Sequence, residues 1–454
     1  MAHDGAATPL LVASPKPRRN MYAFACATLA SMTVILMGYN LALMSGAQLF
    51  IREDLGLSDA QIEVLAGSMN VYMLVSVVAS GWLTDLLGRR GMLVLANAFL
   101  MAGALAMSLG RSYAALMAAR FVTSIGAGFS SVSSSVYNAE ISPIFLNVGV
   151  LLSYVSNYAF AGMPVRLGWR VMFAVGVLPP VLLAVGALAM PESPRWLVMR
   201  GRYGDARTVL VRTSDAPADA DLRLEEIKHA VEAAPQPGGV WKELLGQQPA
   251  SVRRILVCVV GLQMLQQLSG IDAILLYSPL VFKKAGMSST NAVLGATVAI
   301  GVVKTCSIFV ASFLSDRVGR RPLLLASTAA VAAALVSLAL ALCVGAETVC
   351  VASVLAIVAV FSVGLGPLVG TYSVEILPLR LRAQGASLGG AVNRLTCGVV
   401  SMTFISLAGA ITMPGCFFLY AGAAAAGCAF VYTRVPETRG RSLEDMYVLF
   451  ADRQ

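Results

Sequence analysis

The chain has 454 residues, 57% of them hydrophobic and only 13% charged. Water-soluble domains carry about 25% charge, so this much apolar surface is accommodated by a bilayer and not by water. The formal charge of +9 resides in a few short loops and leaves no basic face once the spans are removed, which excludes nucleic-acid binding.

Residues 1–20 are polar and contain prolines, and they read as a cytoplasmic tail. The apolar run from Met21 is too long for the h-region of a cleavable signal, so the first span is expected to double as the insertion signal. A helical span needs about 20 mainly apolar residues. Twelve segments qualify, at roughly 21–47, 62–84, 91–110, 113–138, 144–163, 169–190, 253–281, 291–314, 322–344, 349–373, 384–408 and 411–433. The expected fold is an all-α membrane protein of two parallel six-helix halves: 21–190 and 253–433, joined by a helical linker at 191–252 and followed by a tail at 434–454. Within the linker, Asp221 to Ala234 reads as a short amphipathic helix and Pro235 to Gly239 as a loop. Lys and Arg concentrate at the linker side of the spans, which by the positive-inside rule places both termini in the cytoplasm.

The chain repeats itself. "DLLGRRG" from Asp85 returns as "DRVGRRP" from Asp316, "NAEISP" from Asn138 as "SVEILP" from Ser373, and "PESPR" from Pro191 as "PETRG" from Pro436. Three motifs in one order indicate a duplicated six-span unit, an architecture that places a solute site at mid-membrane between the halves. The repeat is uneven: Glu140 to Glu192 spans 52 residues, whereas Glu375 to Glu437 spans 62, so half one is about ten residues short after Pro143.

The eight cysteines lie in or beside apolar runs without CxxC spacing and read as small buried hydrophobes. The two histidines, His3 and His229, fall outside the spans. No metal-ligand, nucleophile or phosphate-binding constellation accompanies them, so no enzyme activity, metal or cofactor is expected.

Polar residues at bilayer depth are the candidates for function. Gln266 and Gln267 sit mid-span in "GLQMLQQLSGIDAILLYSP", where an unpaired amide costs several kcal/mol. They serve either as an interhelical hydrogen bond or as the lining of a cavity. Asp272 is five residues beyond Gln267, about 140° further round an ideal helix, so a shared site requires unwinding at Ser269-Gly270. Lys304 lies 12 residues before Asp316, about 18 Å deep along a helix. A lysine at that depth needs a partner, for which Asp272 is the candidate. The pair locks spans seven and eight, contacts the solute or titrates. The span-end charges Asp85, Arg89, Arg90, Glu140, Glu192 and Arg195 in half one, and Asp316, Arg320, Arg321, Glu375, Arg382 and Glu437 in half two, either anchor topology or form a switchable cytoplasmic gate. Single exposed pairs are worth only about 0–1 kcal/mol, but several breaking together suit a two-state equilibrium.

"GRR" after spans two and eight, "PESPRWL", "QQLSGID" and "PETRGRSLE" together resemble the sugar porter family of the major facilitator superfamily. "SYVSNYAF" and "LRLRAQGASLG" resemble the plant polyol and monosaccharide transporters within it, over about residues 20–450. The resemblance implies alternating-access transport of a monosaccharide or polyol, in a monomer at the plasma membrane, with protons as a second partner. It implies that Gln266, Gln267, Asp272, Asn147, Asn393, Lys304 and Tyr277 bind the solute, with Asn157 and Asn97 as helix-packing amides. It also exposes departures. Asn40 stands where proton-coupled relatives carry an aspartate paired with the arginine equivalent to Arg120, and an amide does not exchange protons near neutral pH. Coupling would then need another carboxylate, such as Asp272. Gly370 replaces an aromatic ring. The shortfall after Pro143 removes the half-one counterpart of Arg382 and leaves open a weakly active or inactive paralogue, or a sugar sensor.

Overall fold

The computed structural model describes residues 21–137, 142–214, 217–232, 250–377 and 381–438. Glu140 lies outside the described residues, as do the side chains of Asp85 and Asp316. Half one comprises α1 (Met21–Leu55), α2 (Asp59–Leu109), α3 (Tyr113–Tyr137), α4 (Ser142–Ala159), α5 (Val165–Val175) and α6 (Leu178–Ala189). A linker of three short helices follows: α7 (Pro194–Met199), α8 (Tyr203–Thr213) and α9 (Pro217–Glu232). Half two comprises α10 (Ala250–Leu268), α11 (Ile271–Lys284), α12 (Thr290–Val318), α13 (Arg320–Val344), α14 (Glu347–Val363), α15 (Leu365–Ile376), α16 (Arg382–Ile411) and α17 (Met413–Arg434).

These helices make twelve crossings. α2 is two spans fused at Gly88, whose backbone (φ 80°, ψ 174°) is the one non-helical point within it. The charged "GRR" ends the hydropathy signal there, but the chain turns back without a loop. α5 with α6, α10 with α11 and α14 with α15 are broken spans. Ten segments are long and apolar enough to cross a bilayer, α4 is a shorter apolar helix, and α3 carries the buried Arg120. At 18 residues α4 is far shorter than the 30-residue α16, its half-two counterpart, which is where the repeat spacing locates the shortfall.

Large apolar side chains such as Val78, Trp82, Leu182 and Phe313 are more than 60% exposed, the belt expected of a lipid-facing surface. The halves meet where α2 packs on α16, α4 on α12 and α1 on α11. The linker helices bury a small core of their own, from Leu197, Val198, Ala206, Leu210, Ala220 and Leu224. They mark one end of the bundle, called here the linker side.

Candidate functional site

On the linker side each half is fastened by the same device. Helices leave N–H groups unsatisfied in their first turn, and a carboxylate there is favoured by hydrogen bonding and by the helix dipole. Glu192 accepts from the backbone N–H of Arg89 at 2.8 Å and of Arg90 at 3.2 Å, just past the Gly88 kink. Glu437 accepts from Arg320 N–H at 3.1 Å and Arg321 N–H at 3.0 Å, just past Gly319. The second arginine of each pair donates to a carbonyl near the end of its half, Leu188 for Arg90 and Tyr432 for Arg321. Both glycines have positive φ, and a Cβ on Gly88 would lie 2.3 Å from Glu192 Oε2. A side chain here would destroy both the turn and the close approach of the carboxylate.

The halves differ at one point. Arg320 also holds Glu375, with its Nη2 at 3.2 Å from Oε1, and Thr438 donates to the other Glu375 oxygen. Among the described residues, which do not include Glu140, Arg89 in the equivalent place buries Nε and Nη1 without partners. Among the described residues, Arg382 donates a long bond to Leu377 O, at 3.4 Å. The span-end residues described here therefore tie helices together within a half.

At mid-depth the span formed by α10 and α11 is broken. Gly270 adopts a left-handed conformation (φ 75°, ψ 12°), and a Cβ there would lie 2.4 Å from the Tyr420 ring. The break falls where the angular argument for Gln267 and Asp272 requires it. It also creates a new helix N-terminus with Asp272 in its first turn, a favourable position for a carboxylate.

Before the break stands an amide cluster. Gln266 Nε2 donates to the carbonyls of Leu365 and Gly366, both at 2.9 Å, and its Oε1 accepts from Asn393 Nδ2 at 2.8 Å. Gln267 Nε2 donates to Asn393 Oδ1 at 3.1 Å, while Gln267 Oε1 is buried without a partner. After the break, a cavity of about 70 Å³ lies between the halves. Asp272, Lys304, Arg120, Arg394, Asn70 and Tyr154 supply its main polar lining. Small-molecule pockets run from about 300 Å³ upward, so the site is nearly closed in this conformation.

The geometry sorts the sequence candidates. Asp272, Lys304 and Arg120 share the cavity. Lys304 and Asp272 make no ion pair within 4.0 Å, and Asp272 instead accepts a hydrogen bond from the Cys397 thiol at 2.8 Å. Gln266, Gln267 and Asn393 form one cluster. Asn147 is buried on α4, its carbonyl accepting from Thr305 on α12. Asn40 uses its amide N–H on Leu36 O of its own helix, and Arg120 reaches only the carbonyls of Asn40 and Ala66, each at 3.4 Å.

Tyr277 is fully buried above the cavity, away from the linker side. It stacks on Phe404 at 5.2 Å, Phe404 stacks on Tyr420, and the Tyr277 hydroxyl donates to Ser401 O at 2.7 Å. Hydrogen bonds between the halves run from here to the far face. Ser45 and Gln48 donate to the carbonyls of Leu275 and Leu276. Glu63 on α2, 1% exposed, accepts from the Ile405 N–H of α16 at 2.5 Å and from the Ser406 N–H and hydroxyl. The sequence reading missed Glu63, Asn70 and Arg394. For Glu63 and Arg394 the unused signal was an isolated ionisable residue inside an apolar run, which in a bilayer marks function or a buried partner.

Comparison with known proteins agrees with this layout. A family profile described as "Sugar (and other) transporter" matches residues 26–450. The chain belongs to that family. It is 48% identical over 477 residues to polyol transporter 5 of Arabidopsis thaliana, covering 97% of this chain and 88% of that protein. It is 28% identical to the galactose-proton symporter of Escherichia coli, covering 94% of each. The fold matches a partially occluded, inward-open structure of the xylose transporter XylE from E. coli, with a TM-score of 0.80 over 93% of this chain and 100% of that one, at 24% identity.

Proposed function

We propose that this sugar-family chain moves a monosaccharide or sugar alcohol across a membrane by alternating access of residues 21–190 against 253–433, around the cavity bounded by Asp272, Lys304, Arg120 and Arg394. The observation that carries the reading is this polar cavity at mid-depth, on the seam between two repeated bundles. The amide cluster of Gln266, Gln267 and Asn393 offers donors and acceptors suited to hydroxyls, and Gln267 Oε1 is the group left for a solute. The polyol and galactose carriers among its relatives support the solute class.

The linker side is the cytoplasmic side, on the positive-inside rule. The stack above Tyr277 and the Glu63 bridge then form the closed external gate, and the capped carboxylates fasten each half at the cytoplasmic end. The protein acts as a monomer in the plasma membrane. Asn40 and Arg120 favour facilitated passage over proton symport: the amide has no proton to exchange, and among the described residues Arg120 has no carboxylate to release.

Uptake of labelled glucose, xylose, sorbitol and mannitol in yeast stripped of its own hexose carriers tests this. Saturable uptake that survives a protonophore is expected, with Asn40→Asp making it pH-dependent. Accumulation against a gradient, abolished by protonophore, would overturn the uncoupled mechanism. An absence of uptake for every solute would instead support the inactive paralogue that the short α4 allows.

A further inference from the structure

The charge around the cavity is unbalanced. Three cationic side chains line it, Arg120, Lys304 and Arg394, and among the described residues Asp272 is the one acid. Two positive charges are in excess. If Lys304 gave up its proton, two guanidinium groups would still face a single carboxylate, because arginine stays charged in proteins.

The cations are also poorly satisfied. Arg120 is 1% exposed, its Nε has no partner, and its other donors reach neutral carbonyls at 3.4 Å. Arg394 Nη1 reaches the neutral Asn70 Oδ1 at 3.3 Å. Lys304 has no ion pair within 4.0 Å among the described residues, while Asp272 is engaged by the Cys397 thiol. Uncompensated charge at bilayer depth is costly, and the two places where it would be expected to be balanced internally fail. Position 40 is an amide, and the bridging acid Glu63 spends its carboxylate on backbone N–H groups at the far face. A neutral sugar would leave the excess as it is, whereas an anion would offset it.

We propose that the preferred solute is a sugar acid, a polyhydroxylated monocarboxylate of hexose size, with its carboxylate among Arg120, Arg394 and Lys304 and its hydroxyls toward the amide cluster. This rests on the alternating-access carrier function proposed above and shifts its preferred solute from the neutral sugar or polyol to the corresponding acid.

The test uses the purified full chain in proteoliposomes, with labelled gluconate and labelled glucitol as paired probes. Gluconate should enter saturably, with a KM at least about tenfold below that of glucitol, and faster under an inside-positive potential. Two charges a few ångströms apart at an effective dielectric near 20 interact by well over a factor of ten. Lys304→Gln, Arg394→Gln and Asn40→Asp should therefore each shrink the gluconate-to-glucitol preference about tenfold or more, with the thermal midpoint of each purified variant reporting that it is folded. Glucitol transport with no gluconate transport or competition would overturn this inference and leave the carrier function standing. Entry of neither, with labelled glucose and xylose also excluded, would overturn both. Equal competition by chloride or phosphate would also overturn it, since the cavity would then select charge alone.

Discussion

Glu63 provides the sharpest test of how the halves are held together. Its carboxylate crosses from α2 to α16 and takes three donors, the N–H groups of Ile405 and Ser406 and the Ser406 hydroxyl. The carbonyl of Ser401, the regular helical partner of the Ile405 N–H, also receives the Tyr277 hydroxyl. Glu63→Gln keeps the shape but removes the charge and turns an NH₂ group toward donors. Hydrogen bonds to a charged group are worth about 1.5–3 kcal/mol each, so the loss of even one bond's worth, about 2 kcal/mol, shifts a two-state equilibrium roughly 30-fold toward opening at the far face. The assay is the rate at which an impermeant maleimide, added from the far side, labels Asn70→Cys in the cavity wall. The rate should rise at least about tenfold in Glu63→Gln, and Ser406→Ala should add little to it, since the two act on one bridge. Unchanged labelling in a folded variant would refute the bridge as a gate.

Three further outcomes follow from the geometry. Gln267→Ala should abolish most saturable uptake while leaving insertion intact; uptake at normal affinity would remove the amide cluster from the site. Gly88→Ala should lower the thermal midpoint in detergent more than Gly319→Ala, because the added Cβ lies 2.3 Å from Glu192 in the first case and 3.0 Å from Glu437 in the second; each also bears a cost of about 1–3 kcal/mol for a side chain in this positive-φ, extended-ψ region that glycine alone adopts readily. Glu437→Gln should weaken half two less than Glu192→Gln weakens half one, as Arg320 retains Glu375; limited proteolysis at the linker side reads the difference.

Much of this was legible in the sequence because a bilayer punishes polarity so strongly. Apolar runs of span length and a motif repeated three times define the two halves, and the 140° offset between Gln267 and Asp272 anticipates the break at Gly270. Backbone partners are what the sequence hides. The paired acids Glu192 and Glu437 read as members of ion-pair networks, yet both cap helix N-termini, and nothing in a string of letters says that a carboxylate will meet an N–H and not an arginine. Glu63 was hidden for the same reason. Arg394 was overlooked beside Asn393, although they sit one residue apart on a helix and so point in different directions, one into the cavity and one into the amide cluster.

The location of the strong contacts constrains how the molecule moves. On the linker side the charged groups described here close within a half, Glu192 onto α2 and Glu437 onto α13, so each bundle keeps its shape there whichever way the halves tilt. From mid-depth to the far face hydrogen bonds cross between halves, through Glu63, Gln48, Ser45 and the long bond from the Tyr277 hydroxyl to the Glu63 carbonyl. Packed cores switch between discrete arrangements more readily than they deform, so the least costly motion is rigid rocking that breaks the far-side bridges together. The cavity lies at the pivot, and an occupant that satisfies Arg120 and Arg394 in both arrangements would ease the passage between them. The solute would then complete the electrostatics of the hinge as well as being its cargo.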